Sequence, residues 1–205
     1  MNPFSLRNVA AGAAIAVMLL GGAAAVEAPA VPGAPQYDAD GRLVLPADYR
    51  EWIFLSSGLD MSYSPLPAMA SGHMFNNVFV PRAAYLSFLK TGVWPDKTVL
   101  VLENRTGGTD VSINKRGMVQ TQELMGFEAH VKDTARFKGG WAFFGFDGDK
   151  PAEMMPTSAS CYSCHQAHAA VDTTFVQFYP TLLPIATKLG TLSPSYIAET
   201  AGRKN

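Results

Sequence analysis

The sequence is short of cysteine, of excess charge and of long apolar runs, and each shortage excludes a class of protein. Its 205 residues include only 2 cysteines, too few to complete a four-thiol zinc site. Basic residues number 16 and acidic residues 17, a formal net charge of −1, so we expect no nucleic-acid partner and no membrane-surface patch. After the N-terminal segment, no apolar run approaches the ~20 residues of a membrane span. The length suffices for one domain with its own core.

The one long apolar run lies at residues 9–20, behind a short region whose single positive charge is Arg7. This order is typical of a secretory signal peptide, and the small residues Ala23 and Ala25 favour cleavage after Ala25. We therefore expect export to the periplasm and no membrane span in the mature chain. The alternative is an uncleaved anchor, for which the run is short.

Composition divides the chain into four segments. We predict a signal peptide over residues 1–25, a Pro- and Ala-rich linker over 26–40, one folded domain over 41–190 and a flexible tail over 191–205.

Within the domain, β-branched and aromatic residues predict about five strands. They lie at residues 52–56, 73–80, 98–103, 118–131 and 141–146, the fourth being one bent strand or two short ones with Gly126 as a bulge. Pro81 and Gly92 bracket the clearest helix. Residues 172–190 have a helical pattern that Pro180 and Pro184 interrupt. The predicted fold is mainly β (α+β), an antiparallel sheet with a few helices.

Both cysteines lie in one motif after the last strand, C-x-x-C-H at residues 161–165, which is the attachment signature of a c-type haem. Cys161 and Cys164 are three residues apart, so each thiol can form a thioether to one haem vinyl group, and His165 then supplies the proximal nitrogen to iron. We therefore predict a covalent haem c. A redox C-x-x-C pair and half of a zinc site are the alternatives.

The late position of this motif discriminates among haem folds. Small electron-transfer cytochromes carry it near the N-terminus with a methionine ligand downstream, whereas no methionine follows His165. Four-helix cytochromes carry the motif late, but the strands predicted upstream do not suit a helical bundle.

Ordered motifs over residues 41–185 resemble the cytochrome P-460 family, including its cytochrome c′-beta branch. The matching segments are L-P-A-D-Y-R-E-W at 45–52, F-L-K-T-G at 88–92, G-F-E-A-H-V-K-D at 126–133, R-F at 136–137, W-A-F at 141–143, the haem motif, and F-V-Q-F-Y-P at 175–180. The resemblance implies a mainly β fold, often a homodimer, with a five-coordinate haem and an open distal face.

Two functions occur in this family, and position 102 separates them. In hydroxylamine-oxidising members, a lysine in a T-V-x-V-K-E pattern is cross-linked to the haem, whereas residues 98–103 here read T-V-L-V-L-E. Leu102 cannot form that bond, which favours the c′-beta branch, in which an uncross-linked haem binds nitric oxide behind an apolar pocket. Glu128 matches a distal carboxylate that the resemblance implies as the proton acceptor of hydroxylamine oxidation. The alternative for Glu128 is a strand glutamate that pairs with Lys132 or faces water.

Further side chains are candidates for the haem surroundings. They are the wall aromatics Phe75, Phe79, Phe143 and Phe144, the distal-ligand candidates His73 and His130, the methionines Met118, Met125, Met154 and Met155, and the propionate partners Arg50 and Arg136. Core packing and exposed salt bridges are the alternatives. His168 is expected at the surface.

The sequence therefore supports three functions for an exported c-type cytochrome. The first is binding of nitric oxide or a similar small gas, for buffering, detoxification or sensing. The second is a haem oxidoreductase that acts on hydroxylamine or nitric oxide, and the third is an electron carrier. An electron-transfer partner protein is a further expectation.

Overall fold

The structure is a computed structural model that describes residue 1, residues 32–63 and residues 72–202. Five strands form one antiparallel sheet in the order β1-β2-β3-β4-β5. Their bounds are Ile53–Leu59 (β1), His73–Val80 (β2), Val99–Gly108 (β3), Val119–Lys132 (β4) and Trp141–Phe146 (β5). Each strand pairs with its neighbour in sequence, so the predicted antiparallel, mainly β fold is confirmed. The predicted signal peptide lies outside the described residues apart from its first residue.

Within the described parts of the chain, four α-helices and two short 3-10 helices accompany the sheet. Their bounds are Arg82–Thr91 (α1), Ser160–His168 (α2), Leu183–Leu189 (α3) and Pro194–Ala201 (α4), with 3-10 turns at Tyr49–Glu51 and Val176–Phe178. The helix predicted between Pro81 and Gly92 is confirmed as α1, and Gly92 ends it with a left-handed φ of 73°. Among the described residues, no helix has the length and apolar character to cross a membrane.

The sheet has two unlike faces. On one, which we call the closed face, alternate side chains such as Phe79, Val101 and Phe144 form a core with Tyr49 and Trp52. On the other, the cavity face, a second core forms beneath α1 and α3 and a cavity opens beside it. Successive residues of a strand point to opposite faces. Each strand can therefore contribute side chains both to the core of the closed face and to the cavity face.

An irregularity in the pairing of β3 with β4 decides which β4 residues reach the cavity. Gln120, before it, hydrogen-bonds Asn77 on the closed face, whereas Glu128, after it, lines the cavity. The register shifts between these two positions, and such a shift exchanges the faces of a strand. Gly126, predicted as a bulge, lies at this irregularity with a φ of 152°.

The C-terminal region differs from its sequence-based description. Residues 171–174 form a tight turn instead of the start of a helix, because Val171 and Thr174 bridge each other. The segment from residue 191 that we predict to be a flexible tail contains α4, which Ser193 caps by accepting a hydrogen bond from the Tyr196 amide. These local signals are short, and the interrupted apolar pattern of the region obscured them.

Candidate functional site

A cavity of about 340 Å³ lies between the cavity face of the sheet and the segment that carries the C-x-x-C-H motif. This volume falls within the range of small-molecule and cofactor sites. Its wall is formed by Ser56, Gly58, Met61, Tyr63, Met74, Asn76, Val78, Leu100, Leu102, Asn104, Glu128, Ala129, His130, Phe143, Met155, Cys161, His165, Thr174, Phe175, Phe178 and Tyr179. The wall is mainly apolar. It includes seven residues that the sequence analysis singled out: Leu102, Glu128, His130, Phe143, Met155, Cys161 and His165.

The C-x-x-C-H motif lies on α2, so Cys161 and His165 are one helical turn apart and both line the cavity. Cys164 lies between them on the same helix and is half-buried. Both cysteines are free thiols. The helix therefore presents one thiol and the imidazole to the cavity and keeps the second thiol close by.

Side-chain hydrogen bonds fasten α2, which has no fully buried residue of its own. The Tyr162 hydroxyl donates to the Met155 carbonyl over 3.1 Å and lies 3.3 Å from the Phe143 amide, which donates to it. At the other end, the Gln177 amide donates to the His168 carbonyl over 2.8 Å. These contacts fix both ends of the motif against the sheet and the C-terminal segment.

The hydrogen bond of His165 leaves its other nitrogen free for a metal. Nδ1 lies 2.7 Å from the Thr173 carbonyl oxygen. A carbonyl can only accept, so Nδ1 carries the proton and Nε2 keeps its lone pair. Burial lowers the pKa of His165, an effect that this hydrogen bond opposes. The Phe175 ring stacks on the imidazole with centroids 4.0 Å apart.

His130 packs against His165 instead of facing it across the cavity. Their ring centroids are 5.2 Å apart, edge to face, which leaves no room for a porphyrin between them. The His130 ring also stacks on Phe143 at 4.0 Å. Burial is the main cause that holds the pKa of His130 well below its usual range, and the charge of His165 is the second cause. This geometry does not support the distal-ligand hypothesis for His130.

Leu102 and Glu128 are cross-strand partners on β3 and β4, and both line the cavity. The Glu128 side chain is exposed to the cavity space, yet protein atoms surround it. Their desolvating effect raises the pKa of Glu128, and a hydrogen bond from Asn104 lowers it in part. A carboxyl group with a raised pKa beside a cavity is a candidate for proton exchange with a ligand.

Asn76, Asn104 and Glu128 form a polar strip across an otherwise apolar wall. The Asn76 amide donates to Asn104 Oδ1 over 2.8 Å, and Asn104 in turn bonds Glu128. Within the described part of the chain, the buried Oδ1 of Asn76 has no hydrogen-bond partner. The strip therefore ends in an unsatisfied acceptor.

The predicted wall aromatics divide between the two faces. The structure corrects the assignment of Phe75 and Phe79, which are absent from the cavity wall. On β2 the cavity residues are Met74, Asn76 and Val78, so their odd-numbered neighbours point to the closed face. Phe79 packs there against Tyr49, with ring centroids 5.4 Å apart.

Phe143 lines the cavity, as predicted for a wall residue, whereas Phe144 is buried in the core of the closed face. Among the methionines, Met155 lines the cavity, while Met125 and Met154 are exposed.

The remaining polar candidates have partners away from the cavity wall. His73 pairs with Asp60 over 2.6 Å, and His168 pairs with Glu199 over 2.9 Å. Arg50 pairs with Glu103 on the closed face. The Arg136 guanidinium donates to the Gly41 carbonyl and lies over the Tyr37 ring.

Several wall residues carried no assigned role in the sequence-based prediction, notably Tyr63, Phe175 and Phe178. The Thr173 carbonyl, which bonds His165 beside the cavity, had none either. The Tyr63 ring is 5.5 Å from Phe175 and 6.4 Å from Phe178. The two phenylalanines lie in the matched segment 175–180, and that match was a usable signal. A backbone carbonyl leaves no signal in a sequence.

These residues fit a haem. The Nε2 of His165 keeps a lone pair that could bind iron, the cavity is mainly apolar, and Cys161 of the C-x-x-C-H motif borders it. His165 would hold the iron, and Cys161 and Cys164 would hold the porphyrin edge.

The family model described as Cytochrome P460 matches residues 46–176, which is more than half of the chain. The matched range runs from the segment before β1 through α2 to the second 3-10 turn. No curated protein matches the chain significantly.

Proposed function

The chain belongs to the cytochrome P-460 family and is a haem-binding cytochrome, and we propose that it binds nitric oxide or a similar small gas at a five-coordinate haem c. His165 supplies the proximal nitrogen, and Cys161 and Cys164 supply the two thioethers. When bound, the haem would supply an iron that can take up a small gas ligand. The proposal assigns the chain to the cytochrome c′-beta branch.

Leu102 is the observation that carries this proposal. It lines the cavity directly opposite Glu128 in the strand register, where hydroxylamine-oxidising relatives are expected to have the cross-linking lysine. A leucine has no amine to form that bond. Apart from the polar strip of Asn76, Asn104 and Glu128, the wall is mainly apolar and provides few hydrogen bonds, which bound dioxygen needs more than nitric oxide does.

The optical spectrum of the dithionite-reduced protein, recorded before and after addition of nitric oxide, tests the proposal. We expect a broad high-spin Soret band, without a far-red shift, that changes on addition of the gas. A Soret band far to the red would move hydroxylamine oxidation to first place. Sharp low-spin bands that ignore nitric oxide would contradict both functions and favour an electron carrier.

A pair of histidine variants tests the proximal ligand. His165→Ala removes the proposed ligand from the cavity, whereas His168→Ala removes an exposed imidazole three residues later on the same helix. We expect loss of haem incorporation or a changed holo-spectrum only in His165→Ala. An unchanged holo-spectrum in that variant would refute its role.

Hydroxylamine oxidation is the second candidate because Glu128, with its raised pKa, borders the cavity as a proton acceptor. The test is hydroxylamine-dependent reduction of an artificial electron acceptor. If this function is correct, Glu128→Gln lowers the rate at least tenfold, and Glu123→Gln, an exposed glutamate on the same strand, leaves it unchanged. No rate in the unmodified protein would exclude this candidate.

Export to the periplasm, a homodimer and an electron-transfer partner complete the proposal. The N-terminal pattern supports export, and the family resemblance supports the dimer. Mass spectrometry of the purified protein is expected to give a mature N-terminus after residue 25, and light scattering twice the monomer mass. An intact N-terminus or a monomer would contradict the respective statement.

A further inference from the structure

A tight turn at residues 171–174 contains the carbonyl that accepts the hydrogen bond of His165. Val171 and Thr174 bridge each other, and the Thr174 amide donates to the Val171 carbonyl over 2.8 Å. Asp172 opens the turn with a φ of 52°, a left-handed conformation that aspartate tolerates better than most residues. The Thr173 carbonyl lies 2.7 Å from His165 Nδ1, so the position of this turn sets the geometry of that hydrogen bond.

A buried tryptophan fixes one side of the turn. The Trp94 indole donates to the Thr174 hydroxyl over 2.8 Å, and that hydroxyl donates to the Val171 carbonyl over 2.8 Å. Trp94 and Thr174 are each only 1% exposed. Water does not compete for these hydrogen bonds, which makes them strong constraints.

Two side chains of β4 fix the other residues of the turn. Lys132 Nζ pairs with Asp172 over 3.1 Å and donates to the Trp94 carbonyl over 2.7 Å. His130 Nε2 lies 3.3 Å from the Thr173 hydroxyl. Three consecutive turn residues therefore each have a side-chain partner on a distant part of the chain.

We propose that the Val171–Thr174 turn, fixed by Trp94, Lys132 and His130, is a positioning element that sets the strength of the hydrogen bond from His165 Nδ1. The inference rests on the proposed role of His165 as haem ligand. A hydrogen bond to the outer nitrogen of a ligating imidazole orients the ring and raises its basicity. The turn thereby controls how strongly the imidazole donates to iron.

Two variants, each with a matched control, test the proposal in the haem-containing protein. Trp94→Phe removes the indole donor but keeps an aromatic ring, and Thr173→Val removes the hydroxyl but keeps the carbonyl. The controls are Trp52→Phe, in the core of the closed face, and Thr187→Val, exposed on α3. The measurements are the iron–histidine stretching band in resonance Raman spectra and the midpoint reduction potential.

We expect a lower stretching frequency and a higher midpoint potential in Trp94→Phe and in Thr173→Val. A looser turn weakens the Nδ1 hydrogen bond, which lowers the basicity of the imidazole and destabilises ferric relative to ferrous iron. The two controls are expected to match the unmodified protein. Unchanged bands and potentials in both turn variants, at full haem content, would overturn the proposal.

A pyridine haemochrome assay separates this inference from the function on which it rests. No haem c in the unmodified protein would defeat the proposed function itself. Haem c with unaltered turn variants would defeat only the positioning role. If Trp94→Phe does not fold, Thr173→Val decides the question, because Thr173 is half-buried and valine has nearly its shape.

Discussion

Two glutamates on neighbouring strands, Glu103 and Glu128, show how one sheet builds a closed face and a cavity face. Glu103 is fully buried and accepts hydrogen bonds from Tyr49 and Arg105 over 2.6 Å and 2.7 Å. Glu128 opens onto the cavity and has a hydrogen bond from Asn104. One carboxylate is saturated with donors, and the other keeps acceptor capacity for a ligand.

The number of hydrogen-bond donors around each carboxylate also explains why the pKa values of Glu103 and Glu128 shift in opposite directions. Burial, the largest influence on both groups, raises the pKa of each. At Glu103, hydrogen bonds from Arg105, Tyr49 and Asn77 outweigh burial, so its pKa is below the usual value. At Glu128 burial prevails. On the closed face, the ionised Glu103 therefore stabilises the fold. On the cavity face, Glu128 remains able to bind a proton.

The largest expected effect follows removal of the charge on the closed face. Glu103→Gln keeps the side-chain volume but places an amide against the donors of Tyr49, Arg105 and Asn77. Breaking a buried ion pair costs about 3 kcal/mol or more. We expect a loss of this size in the free energy of unfolding, measured with urea. Glu51→Gln, at an exposed glutamate, is the control, and an equal effect of both variants would contradict the comparison.

Two adjacent asparagines of β2 give the second test. Asn77 faces the closed face, is 3% exposed and bonds Ser57, Gln120 and Glu103. Asn76 faces the cavity, and its buried Oδ1 has no hydrogen-bond partner among the residues that the structure describes. We expect Asn77→Ala to cost about 2 kcal/mol, because it leaves several buried groups unpaired. Asn76→Ala is expected to cost about 0.5 kcal/mol, the net value of a weak hydrogen bond. Urea unfolding measures both losses. A larger loss of unfolding free energy in Asn76→Ala than in Asn77→Ala would contradict the distinction between the two faces.

The antiparallel sheet could be predicted from sequence, but the division of its side chains between the two faces could not. Strand β2 and helix α1 followed from alternation, Pro81 and Gly92, which are local signals. The assignment of Phe75 and Phe79 to the cavity is wrong. The face to which a strand residue points depends on packing and register, and amino-acid composition does not reveal either.

The cavity itself combines predicted and unpredicted groups. Leu102, Glu128 and His165 came from motif positions, and all three line the cavity. The Thr173 carbonyl and the neighbouring His130 ring depend on a long-range approach of the 171–174 turn to β4. Contacts of this kind join distant parts of the chain and leave no periodic pattern in the sequence.

A substitution at Gly126 is expected to have a smaller effect on stability. This residue lies at the register shift that decides which β4 side chains reach the cavity. Its φ of 152° lies in a region that residues with a Cβ rarely adopt. Among the described residues other than its two chain neighbours, none has an atom within 4 Å of the position that an added Cβ would take. The cost of Gly126→Ala is therefore conformational, about 1 kcal/mol. We expect that loss in urea unfolding, together with a shift in the NMR resonances around Glu128. Gly202→Ala, where φ is −81°, is the control, and equal losses would contradict the bulge interpretation.

The smallest expected effect is a difference in sign between two pH profiles. The folded-state pKa of Glu128 is above its ordinary value of 4.5, so the folded state binds more protons, and stability falls as pH rises from 4.5 to the folded-state pKa. The pKa of Glu103 is below 4.5, so its contribution is complete above 4.5 and is lost as pH falls through the folded-state pKa.

The two variants should therefore diverge when urea unfolding is repeated between about pH 3 and about pH 8. Relative to the unmodified protein, Glu128→Gln should gain stability as pH rises, because glutamine never acquires the charge that burial disfavours. Glu103→Gln should lose stability over the same rise, because only the ionised carboxylate satisfies its donors. Parallel profiles for both variants would mean that the two carboxyl groups have similar surroundings, contrary to the contrast between the faces.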